Sequence, residues 1–124
     1  MLEQHATDRA KRHQRLGEYS SASKNINYLS TLIEEVIKND HKPILVTTPF
    51  YQAYNDNFSK EWLDEHFYNA INKLKDKHKI PYLDYSHHEQ LSNRTDLFVN
   101  SDHINNNGRA LFSELLFREI EILK

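Results

Sequence analysis

The sequence predicts an α/β fold in three layers, a short parallel sheet with flanking helices. Two observations predict it. Segments of helical periodicity alternate with short apolar runs, in the order helix, strand, helix, strand, long loop, helix. That alternation favours parallel strands joined by right-handed crossovers. The first apolar run, Ile44-Leu45-Val46-Thr47-Thr48, lies between Pro43 and Pro49. A nearly continuous, β-branched run of this length fits a buried parallel strand.

Each element has its own signal. Residues 1–24 are polar and basic with weak helical periodicity, broken by Gly17 and by Ser20-Ser21. They read as a helical or poorly ordered lead-in to a domain at 25–124. From Asn25, the residues Ile26, Leu29, Ile33, Val36 and Ile37 recur at helical spacing, so an amphipathic helix is expected to end near Asn39-Asp40. After the first strand, Phe50 to Phe58 reads as a polar-aromatic loop. Ser59 is a candidate N-cap for a helix whose stripe is Leu63, Phe67, Ala70, Ile71 and Leu74. Ile80 to Tyr85 reads as the second strand, and Ser86 to Ser101 as a loop with a weak turn. Asn105 to Asn107 cap a last helix with Leu111, Leu115, Leu116 and Ile120 on its stripe. Two strands are few for such a sheet, since about 4–6 is usual. The chain therefore reads as part of a larger fold, open to self-association through its sheet edge.

Composition removes several function classes. A formal charge of -2 gives no reason to expect nucleic acid as partner. No apolar run approaches the roughly 18 residues that span a bilayer, and the N-terminus has no signal-peptide core. With no cysteine there is neither a disulfide framework nor thiolate chemistry. Only two glycines occur, and no glycine-rich phosphate loop is present, so nucleotide cofactors by that route are not expected. No cofactor and no metal are required. His87-His88-Glu89 lacks the spacing of a metal site.

Chemistry in an open parallel sheet gathers at the carboxyl ends of its strands. Three segments meet there by construction: Thr47-Thr48-Pro49-Phe50-Tyr51, Asp84-Tyr85-Ser86-His87-His88, and the loop Leu97 to Gly108, which contains Asn100, Asp102, His103 and Asn105. His103 is accordingly expected near Thr48 and Asp84. Asp-His-Ile-Asn-x-x-Gly, running into a helix that carries Ala110, Phe112 and Ser113, resembles the terminal block of SGNH (GDSL-like) hydrolases. The branch it looks most like includes DltD-like and polysaccharide O-acetylation proteins. Ile44 to Pro49, Tyr51 with Tyr54, and Tyr82 to Ser86 share that likeness, which runs from about Asn25 to the C-terminus.

The resemblance implies the C-terminal part of a serine acyl-esterase or O-acyltransferase with a partial SGNH or flavodoxin-like fold. It implies an acylated carbohydrate or small acyl ester as substrate, and a place in the cell envelope. It makes His103 the general base, oriented by a nearby acceptor. The family's aspartate three residues earlier is here Asn100, and Asp102 is the adjacent carboxylate. Thr48, Tyr51 and Asn105 are the substrate-side candidates, with packing on the sheet as the alternative for Tyr51 and helix capping for Asn105. Gly108 is expected to allow close helix-to-sheet packing. No Gly-Asp-Ser block occurs. The chain by itself is thus expected to be inactive toward acyl esters, and a non-catalytic binding module or a structural interaction domain stands as the alternative.

Overall fold

Helix ends show most directly how this sequence becomes structure. In the computed structural model, which describes residues 2–18 and 22–124, seven α-helices and four short strands are found. The Ser20-Ser21 break lies outside the described residues. The described residues are mostly helical (68%), with a small two-strand parallel sheet, a mixed α/β character. It divides into two compact units. One comprises Lys11–Thr47 and Phe58–Leu83, the other Met1–Ala10, Thr48–Asn57 and Asp84–Lys124.

The first of these holds the parallel pair. Strand β1 (Leu45–Thr47) and strand β2 (Tyr82–Asp84, whose last residue belongs to the other unit) are each three residues long. Leu45 N–H donates to the Pro81 carbonyl at 3.0 Å, and the Thr47 and Tyr82 hydroxyls meet at 2.7 Å. The expected burial of β1 is corrected. Leu45 and Thr47 are half-buried while Val46 is exposed, the alternation of a strand covered on one face.

Helix α2 (Ala22–Lys38) buries Ile33. Helix α4 (Lys60–Leu63) starts at the N-cap Ser59, whose Oγ accepts the Trp62 N–H at 3.1 Å. It passes through a π-helical turn (Asp64–Tyr68) into helix α5 (Asn69–His78), which buries Leu74. Glycine is scarce, so non-glycine residues take the left-handed positions that end these helices. Asp40 has φ 62° after α2, and Lys79 has φ 54° after α5. Each costs roughly 1 kcal/mol that glycine would not. In return the His41 and Ile80 N–H groups close on the Val36 and Lys75 carbonyls at 3.1 Å.

The other unit departs furthest from expectation. The segment 50–58 contains helix α3 (Gln52–Asn55) instead of being all loop. The expected loop 86–101 holds helix α6 (Glu89–Ser92), a 3-10 turn (Thr95–Leu97) and strand β3 (Phe98–Asn100). β3 pairs antiparallel with β4 (His103–Ile104), so His103 sits in a hairpin strand. No two-residue period is long enough here to announce a hairpin. Helix α7 (Asn106–Leu123) follows, with Asn105 as N-cap accepting the Gly108 N–H at 3.0 Å. Helix α1 (Leu2–Glu18) contributes its first half to this unit, where Ala6 and Ala10 are fully buried.

Candidate functional site

The site grows from the β3–β4 turn. Hairpin register pairs Asn100 with His103, which brings both side chains to the same face. Asn100 Oδ1 accepts the Asp102 N–H at 3.1 Å, closing an Asx turn across Ser101. The same oxygen lies 2.9 Å from His103 Nδ1. Because a backbone N–H already requires an acceptor at that atom, Nδ1 must be the donor. In the neutral ring the proton therefore sits on Nδ1, and Nε2 carries the basic lone pair. The position three residues before the histidine orients the imidazole, with an amide in place of a carboxylate.

Asp102 is engaged elsewhere. Its side chain is only 8% exposed, and Arg9 Nη2 donates to Oδ2 at 2.8 Å. Arg9 Nε lies 2.5 Å from Oδ1, an ion-pair contact without hydrogen-bond geometry. The Asp102 hydrogen bond raises the Arg9 pKa further above its ordinary value. Burial, and then the Asp102 charge, push the Tyr54 phenol up to about 12, so Tyr54 stays neutral. Asp102 Oδ2 is 3.5 Å from His103 Nδ1, a long contact beside the Asn100 bond. The Asp102 charge is thus balanced chiefly by Arg9.

The three strand-end segments do converge. Tyr51 N–H donates to the buried Ser101 carbonyl at 2.9 Å, and Phe50 N–H to the Ser86 carbonyl at 3.3 Å. That Ser86 oxygen also accepts Asn55 Nδ2 at 2.8 Å and Ser92 Oγ at 3.2 Å. The Ser86 hydroxyl is buried, donating to Asp84 Oδ1 at 2.6 Å with His87 Nδ1 at 2.8 Å. His88 turns the other way and stacks on Tyr85 with ring centres 5.3 Å apart. The Tyr85 hydroxyl donates to Glu119, and burial and that bond push its phenol up to about 12.

Of the six residues singled out in the sequence, Asn100, Asp102 and His103 form one cluster, with the His103 side chain 63% exposed. Tyr51 is buried, its ring 5.8 Å from Phe98, so it meets the core and not solvent. Thr48 is exposed at the end of β1. Asn105 works as the α7 cap, and its Nδ2 donates to the Asp96 carbonyl at 2.7 Å. Arg9 and Asn55 were missed. Asn55 had no signal, and for Arg9 the only trace is the Ala6/Ala10 pair, small residues one helical turn apart in a polar stretch. Among the described residues no helix is long and apolar enough to cross a membrane. Comparison with protein-family models, with curated proteins and with solved structures finds no match to this chain.

Proposed function

We propose that this chain carries the histidine side of an SGNH-like acyl-transfer site, as the C-terminal part of a serine acyl-esterase or O-acyltransferase of cell-envelope polysaccharide. One observation carries the reading: the Asn100 Oδ1 bond that leaves His103 with its proton on Nδ1 and its base on Nε2. A base in that tautomer takes the proton of an attacking serine and returns it to the leaving group. The serine itself would come from a Gly-Asp-Ser-like block on a segment outside these 124 residues, and the same segment would complete a three-layer sheet. Ser86 is a poor substitute, since its hydroxyl is buried and committed to Asp84.

The test joins this chain to the coding region that precedes it. The joined protein is expected to turn over p-nitrophenyl acetate, and His103→Ala to lower kcat by about 100-fold or more. Asn100→Ala should cost less and should erase the Nδ1–H tautomer preference in 15N spectra. Absence of a serine block upstream, or turnover indifferent to His103, would end the reading.

A second reading, a non-catalytic binding or assembly module, is favoured by apolar exposure. Val99 is 67% exposed, Phe117 66% and Ile122 83%, on β3 and α7. Sedimentation is expected to show self-association that Phe117→Asp reduces. A monomer at all concentrations would remove this alternative.

A further inference from the structure

Helix α2 and the π-turn with α5 face each other across a groove of about 500 Å³, within one unit and built from none of the candidate site residues. That volume lies inside the range of small-ligand sites. One stripe of α2 supplies Ile26, Asn27 and Ser30, which recur at helical spacing, while Leu74 and Ala70 give the opposite apolar wall. One end of the groove is closed by a hydrogen-bonded chain. Lys77 Nζ donates to the Ser30 hydroxyl at 2.9 Å and contacts Glu34 at 3.3 Å, and His78 Nε2 lies 2.8 Å from the same hydroxyl.

What lines the rest of the groove is unspent. Among the described residues the Lys73 ammonium, the Glu65 carboxylate and the Asn27 and Asn69 amides take part in no side-chain hydrogen bond or ion pair. Glu65 stands in the π-helical turn, a local insertion that often accompanies a binding site. Glu65 and Lys73 are eight residues apart on this face, roughly 12 Å along the axis. The groove thus holds a negative charge toward one end, positive charge toward the other, paired amide donors and acceptors, and apolar walls.

We propose that this groove binds a short peptide with free termini, about three residues long. An extended tripeptide spans roughly 10–11 Å, close to the axial spacing of the two residues. Its ammonium pairs with Glu65 and its carboxylate with Lys73, beside the Lys77 end. Asn27 and Asn69 match its peptide groups, and Ile26 and Leu74 take small side chains.

The test is an NMR titration of the full chain with trialanine, N-acetyl-trialanine and trialanine amide. Free trialanine is expected to shift the resonances of Asn27, Ser30, Asn69 and Lys73, with a Kd of roughly 1–10 mM for so small a ligand. Each capped peptide should bind up to about fivefold more weakly, because each loses one exposed ion pair. Glu65→Gln should make free and N-acetylated peptides bind alike, and Lys73→Met should do so for free and amidated peptides. A variant that merely unfolds would lose all three ligands, so selectivity is the decisive readout. Equal binding of all three peptides to the unmodified chain, shifts that map elsewhere, or no shifts at all would overturn the proposal.

Discussion

Gly108→Ala is expected to destabilise the chain by about 3 kcal/mol, although alanine inside a helix ordinarily stabilises by roughly 0.5–1 kcal/mol relative to glycine. The sign is set by close approach. A Cβ at this position would stand 2.3 Å from the Leu97 carbonyl oxygen and 2.9 Å from Ile104 Cβ. Neither neighbour is the yielding end of a flexible side chain. The Leu97 oxygen also accepts the Asn105 N–H at 2.8 Å, and Asn105 Oδ1 caps Gly108 N–H. Moving the carbonyl to admit a methyl therefore disturbs the cap as well, worth about 1 kcal/mol by itself. The loss should appear as a fall in Tm of roughly 10 °C. A variant as stable as the parent would mean that α7 is not seated on the 3-10 turn and β4 in this way.

Arg9→Ala is expected to cost about 2–3 kcal/mol. Removing one partner of a buried ion pair strands the other charge, at roughly 3–5 kcal/mol when both are fully buried. The figure is reduced here because the Arg9 side chain is 30% exposed and water screens part of the interaction, while Asp102 at 8% exposure keeps most of the penalty. Arg9→Ala with Asp102→Ala together should cost less than the sum of the two single changes, since the stranded charge is gone. Urea unfolding of the four proteins measures the difference. Strict additivity would show that the pair contributes nothing to the hairpin turn.

Much of the element order was legible because it rests on local chemistry. Ser59 and Asn105 cap the helices that their side chains announce, and Pro43 and Pro49 bracket the first strand. The convergence of the segments after β1 and β2 with the histidine loop follows from that order, and the hydrogen bonds of Phe50 and Tyr51 display it. The candidate site was legible as a set of residues around His103. Its wiring was not. That Asn100 meets the histidine depends on hairpin register, set by a two-residue turn too short to give a periodic signal. Val46 shows the same limit, since an apolar run does not say whether one face or both are covered.

The sequence alone determined the helices α2, α5 and α7, where α4 and α7 begin, and the strands β1 and β2, because caps, prolines and 3.6-residue periodicity act within a few residues of themselves. Tertiary structure decided that Arg9 neutralises Asp102 across 93 positions, that Gly108 lies under the Leu97 carbonyl, and that Tyr51 goes into the core. Those outcomes depend on distances between segments remote in the chain, where the energy of an ion pair or a steric contact exists only after folding has brought the partners together.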